Sequence, residues 1–116
     1  MAESPVRAGP TLLTTANTTQ TIYTAGAVST WAILREVTII NETTGLVKVT
    51  YGIGTTNTDA AGKRLLPVTF TLDPGGAPYT WGGFIPLIGG STPDLLYAMC
   101  DTANGATITL GLVTGP

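Results

Sequence analysis

TWAILREVTIINETTGLVKVTYGI, residues 30–53, is the stretch on which the reading of the fold turns. In its second half Val47, Val49, Tyr51 and Ile53 alternate with Lys48 and Thr50, the period-two pattern of a strand that is dry on one face and wet on the other. Glu42, Thr43, Thr44 and Gly45 interrupt the apolar pattern, and glycine supplies the permissive backbone of a turn, so the two halves predict a β-hairpin. The first half behaves differently. Strict alternation puts Trp31, Ile33, Val37 and Ile39 on one face, shared with Arg35, and Ala32, Leu34 and Ile40 on the opposite one. Both faces of this strand are then largely apolar. A small sandwich has one core, so the second apolar row should meet another layer, another subunit or a foreign surface, or be covered by the N-terminal segment of the same chain.

Outward from this stretch, β-branched and aromatic residues cluster between Gly, Pro and Asn breaks, which marks strands and turns. The other expected strands are residues 12–15, 19–24, 63–72, 79–87, 95–100 and 106–113. Gly82 and Gly83 fall inside residues 79–87 and predict a bulge or bend there. Asp73, Pro74 and Gly75 end one strand, and Asn104-Gly105 signals a turn before the last. Pro5, Gly9 and Pro10 keep residues 1–10 from being helical, so these are expected to form an extended arm preceding a domain of residues 11–116. Eight short strands without an amphipathic helix give an all-β, antiparallel sandwich or barrel.

Composition narrows the function classes. The 116 residues are 43% hydrophobic and only 10% charged, with 15 Gly, 8 Pro and 23 Thr, which suits short strands rather than long helices. Without histidine there is no Ser-His-Asp triad and no His-ligated metal, and a single cysteine makes no intrachain disulfide. A net charge of −2 gives no basic footprint for nucleic acid, and no apolar run reaches the ~20 residues of a membrane-spanning helix. The start, Met1 to Arg7, lacks the apolar segment of a secretory signal, so the chain is expected to begin life soluble in a cytoplasm. Six of the seven carboxylates fall in the arm, in turns or at strand ends, where they ordinarily bond the local backbone. No catalytic residue, cofactor or metal is assigned. Cys100 sits in the apolar run Leu95 to Cys100 and reads as a small buried hydrophobe. Lys63 and Arg64 are the only adjacent cations, too few for nucleic-acid binding. Arg35, a charge in an apolar row, points to a strand edge or to an ion pair with another strand or subunit. Tyr79 and Trp81 share one face beside Gly82-Gly83 and are candidate glycan contacts, or else core residues.

Several segments, in order, resemble a family of small virion structural proteins of tailed bacteriophages and prophages. They are residues 21–26 (TIYTAG), 34–43 (LREVTIINET), 59–65 (DAAGKRL), 79–87 (YTWGGFIPL) and 105–111 (GATITLG). The resemblance implies a jelly-roll-like β-sandwich that joins the virion after assembly in the host cytoplasm, with no enzymatic activity. The expected role is a capsid decoration or head-associated protein, a homotrimer bound to the major capsid protein or other virion proteins. A tail-tip or fibre-base module touching host carbohydrate through Tyr79 and Trp81 is the alternative. In the first reading Trp31, Ile33, Val37 and Ile39, or the opposing Leu34 and Ile40, form the subunit contact with Arg35 among them. Residues 1–10, with Pro5 and Arg7, reach a neighbouring capsid protein.

Overall fold

The computed structural model of the chain describes residues 4–26, 31–56, 65–75 and 78–115. Eight strands follow one another: β1 Ser4–Leu12, β2 Gln20–Thr24, β3 Trp31–Asn41, β4 Val47–Gly54, β5 Leu65–Leu72, β6 Tyr79–Ile88, β7 Leu95–Cys100 and β8 Ala106–Gly115. They form two four-stranded antiparallel sheets, sheet A in the order β1-β8-β3-β6 and sheet B in the order β2-β7-β4-β5. This interleaved order is that of an eight-stranded jelly roll.

The core lies between the sheets and is built from alternate residues. Val47, Val49, Tyr51 and Ile53 of β4 face Leu34, Val37 and Ile39 of β3 and Ile108, Leu110 and Leu112 of β8, and all are at most 2% exposed. At roughly 1.5–3 kcal/mol for each large apolar side chain removed from water, this layer dominates the stability of the domain. Cys100 is buried among the same residues, and burial pushes its thiol above its ordinary pKa.

Three expectations are corrected. Residues 1–10, expected as an extended arm preceding the domain, are extended from Ser4 onward but belong to the sandwich, with β1 hydrogen-bonded along β8 as the edge strand of sheet A. Pro5 and Pro10 are tolerated because an edge strand needs only one row of ladder bonds. The strand expected over residues 12–15 is instead where the chain crosses between sheets. Here Leu13, buried in the core, donates its N–H to the Ala106 carbonyl at 2.9 Å. The third correction concerns residues 42–45, which do not close a hairpin: β3 and β4 belong to different sheets. Asn41 makes this a corner. Its side-chain amide donates to the carbonyls of Gly45 (2.8 Å) and Leu72 (2.9 Å), and its Oδ1 accepts from the Thr43 N–H and hydroxyl, both at 2.8 Å. The Glu42 N–H ties the same corner to the Gly105 carbonyl at 2.9 Å.

β3 departs from strict alternation. Its register against both β6 and β8 shifts between Leu34 and Glu36, with Arg35 as the extra residue opposite β8. The bulge changes the phase of the strand, so Ala32, Leu34, Val37 and Ile39 all face inward, while Trp31, Ile33, Glu36, Thr38 and Ile40 form the outer row. On β6 the same irregularity falls at Gly83 and Phe84, within the glycine-containing segment that the sequence marks for a bend.

Candidate interaction surface

The bulge decides which side chains the outer face of sheet A presents. Register across the four strands arranges that face in transverse bands. At one end Gly115, Trp31 and Ile88 share a row, and next to it Pro5, Val113, Ile33 and Pro86 share another. The next row is Arg7, Gly111, Glu36 and Gly82, followed by Thr109, Thr38 and Thr80, and then by Leu12, Thr107 and Ile40. The face is therefore apolar at one end, charged at its middle and threonine-rich beyond.

The apolar end is open. Ile88 is 68% exposed and Phe84, at the bulge, 64%, while Trp31, Ile33 and Val113 are half-buried. Trp31 is spread over Gly115, and a Cβ added at that glycine would fall inside the indole. Glycine thus lets a large ring lie flat against the sheet as a smooth apolar surface. Near the middle of the face a shallow groove of about 460 Å³ runs over Gly111, between Arg7 of β1 and Glu36 of β3. Arg35 borders it, but its Nε donates to the Gly83 carbonyl at 2.9 Å and its guanidinium lies 5.7 Å from the centre of the Phe84 ring. The bulge thereby directs this cation toward β6, with a backbone carbonyl and an aromatic face as its partners.

The outer face of sheet B is different. Tyr97 and Gly52, in register on that face, are buried, and Thr50 is only 7% exposed and hydrogen-bonded to Thr69 at 2.9 Å between hydroxyls. A small hollow of about 240 Å³ beside them is lined by Lys48, Met99 and Asp101. The Asp101 carboxylate there accepts from the Lys48 N–H at 3.0 Å and the Thr102 hydroxyl at 3.1 Å, which is turn-capping work. Among the described residues no group of three or more His, Cys, Asp or Glu side chains is placed to hold a metal ion. No helix among them is long and apolar enough to cross a membrane.

The structure divides the residues singled out in the sequence. Trp31, Ile33, Arg35 and Ile40, with Pro5 and Arg7 from β1, come together on the outer side of sheet A, all of them exposed or half-buried. Leu34, Val37 and Ile39 lie in the core with no exposed area. Tyr79 and Trp81 pair with Ile39 and Val37 and so face inward, half-buried against the core. The Tyr79 ring stacks on Phe70, with centroids 4.1 Å apart, and its hydroxyl is 2.7 Å from that of Tyr51. Burial, helped by that hydrogen bond, pushes the Tyr51 phenol far above its ordinary pKa. Lys63 and Arg64 lie outside the described residues. Sequence reasoning missed Phe84, Pro86, Ile88 and Val113 as surface residues. Their signal is there in retrospect: Pro86 and Ile88 share a face of β6, in register with Ile33 and Trp31.

No protein-family model and no curated protein sequence matches the chain at a significant level. Solved structures show likeness of fold at low identity. The chain aligns over 97% of its length with the crystal structure of the infectious bursal disease virus VP2 subviral particle, at 15% identity and a TM-score of 0.48. A structure of the Gx strain of the same virus gives 16% and 0.49. A structure of Bacillus endospore appendages, described as disulfide-linked pili, gives 16% and 0.43, with 83% of that chain covered. The chain spans about a third of the length of the two viral chains, 32% of each. None of these three is a tailed-phage protein, and the family read from the sequence stays a resemblance.

Proposed function

We propose that the chain is a structural subunit of a virion, a capsid decoration or head-associated protein that self-associates and reinforces the assembled shell. A fold of this kind hosts many functions, so the support must come from its surface. The observation that carries the reading is the open apolar end of sheet A, where Phe84, Pro86 and Ile88 on the edge strand β6 adjoin Trp31 and Ile33. Contiguous apolar surface rimmed by polar residues is characteristic of protein interaction sites. Burying Phe84 and Ile88 against a shell protein would contribute roughly 1.5–3 kcal/mol each, and symmetry repeats the contribution in every copy. The edges of sheet A are poorly suited to strand addition, since β1 carries Pro5, Pro10 and a bulge, and β6 carries Pro86 and a bulge. Association is therefore through the face of the sheet.

Co-sedimentation with shells assembled from the major capsid protein of the particle that carries this chain tests the proposal. The wild-type chain is expected to pellet with the shells, and Phe84→Asp or Ile88→Asp to stay in the supernatant with melting temperatures near wild type. A wild-type chain that ignores the shells would contradict it.

A further inference from the structure

We infer that the outer face of sheet A is self-complementary and pairs two copies of this chain back to back about a two-fold axis along β8. This deepens the self-association part of the reading above. The warrant is the order of side chains on the two strands that flank β8. Going along the face, β1 presents Pro5, Arg7 and Leu12, and β3 presents in the same rows Ile33, Glu36 and Ile40. Between them β8 contributes Val113, Gly111 and Thr107.

A two-fold axis lying in the face and running along β8 near Gly111 exchanges β1 with β3 while leaving every row opposite itself. Pro5 of one copy then meets Ile33 of the other, Arg7 meets Glu36, and Leu12 meets Ile40. Each match occurs twice. Apolar residues oppose apolar ones and the one cation of β1 opposes the one anion of the outer row of β3. Both charged side chains are exposed, as is Leu12 at 39% and Ile40 at 47%.

The rest of the face permits the approach. Gly111 leaves the floor of the groove low, and the Glu36 side chain leans across it, with its Cγ 3.3 Å from where a Cβ of residue 111 would stand. Arg35 is drawn away from the axis by the Gly83 carbonyl, so it does not spoil the opposition of Arg7 and Glu36. Facing sheets pack with their strand directions within about 30° of each other, a range that an axis along β8 satisfies. Three overlapping strands at about 4.8 Å spacing and about 30 Å length give roughly 400 Å² of face per copy, less than the ~800 Å² of a standard interface. The dimer is consequently weak and reversible in solution, and becomes effective where a shell holds copies close together. β6 lies outside the three-strand overlap, so Phe84, Pro86 and Ile88 remain free for the shell. A three-fold ring would require a different contact.

Sedimentation velocity of the full chain over a concentration series at low salt tests this pairing. The wild-type chain is expected to show a reversible monomer–dimer equilibrium. Arg7→Glu and Glu36→Arg each place like charges opposite one another twice, and each should raise the dimer Kd roughly tenfold or more. The double variant R7E/E36R restores opposite charges and should return the Kd to near wild type. A chain that is monomeric throughout, a trimer, or a double variant no tighter than the singles would overturn the inference. Shell binding of the same variants separates the two readings: pelleting with shells but no dimer rejects the pairing alone, and a dimer that ignores shells rejects the virion role alone.

Discussion

Leu34 and Val37 stand three positions apart on β3, yet both point into the core and neither has any exposed area, because Arg35 is bulged out between them. A flat strand would send one of them outward. That single extra residue sorts the apolar side chains of β3 into a buried row and an outer row, and so determines what sheet A offers to a partner.

Deleting Arg35 should leave the protein folded with Leu34, Val37 and Ile39 still facing the core, because it removes the residue that has no partner on β8 and makes that pairing continuous. The cost, about 1–3 kcal/mol, comes from the lost bond to Gly83 and from the two residues of β6, Gly83 and Phe84, left opposite no residue of β3. Arg35→Ala keeps the residue count and loses only the bond to Gly83 and the contact with Phe84, at a cost of about 1 kcal/mol. Urea unfolding followed by circular dichroism distinguishes the two.

Gly115→Ala should drive the Trp31 indole off the sheet. The added methyl falls within the ring, and the strain is expected to cost about 1–3 kcal/mol. Tryptophan fluorescence should shift to the red. In the Trp31→Ala background the same change should cost much less, a non-additivity of about 1 kcal/mol or more in a double-mutant cycle.

The corner between β3 and β4 depends on one side chain. Asn41→Asp removes both donors and aims a carboxylate at the Gly45 and Leu72 carbonyls, so a loss of about 2–4 kcal/mol is expected. Asn41→Ala should cost less, about 1–3 kcal/mol. Denaturant midpoints rank the pair.

Stability should fall on the alkaline side. Tyr51, Tyr23 and Cys100 all have pKa values raised by burial. The unfolded chain loses these protons near the ordinary values of 9.0 for the thiol and 10.0 for the phenols, while the folded chain still holds them. The folded state then binds more protons than the unfolded one, so stability is full below about pH 8 and declines as pH rises through 9 and 10. Each group that is ionised only in the unfolded state contributes a slope of about −1.4 kcal/mol per pH unit. Urea midpoints from pH 7 to 11 check this, and Cys100→Ala should move the onset of the decline from near pH 9 toward pH 10.

How far the sequence led depends on the strand. β4 was legible because its own alternation is unbroken, continuous in register with β7 and keeping Tyr51 and Ile53 on one side across the shift against β5: Val47, Val49, Tyr51 and Ile53 are all buried on one side, with Lys48 exposed on the other. β3 was not, because its bulge arises from partners far away in sequence, β6 at Gly82 to Phe84 and β8 at Gly111. The strand order was hidden for a similar reason. Asn41 looks like an ordinary turn residue until Leu72, 31 positions away, supplies one of its acceptors. For the surface, pattern reading found Trp31, Ile33 and Arg35 but also drew in Leu34, Val37 and Ile39, which the phase change consigns to the core. Tyr79 and Trp81 were correctly assigned to one face. Which face depends on their pairing with Ile39 and Val37.

Electron cryo-microscopy of the intact particle bears most directly on where this chain works. Copies should sit on the shell with Phe84, Pro86 and Ile88 of β6 covered by a shell protein. Copies whose outer sheet A faces solvent along its whole breadth, or particles that contain none of this chain, would contradict the virion role and the surface assigned to it.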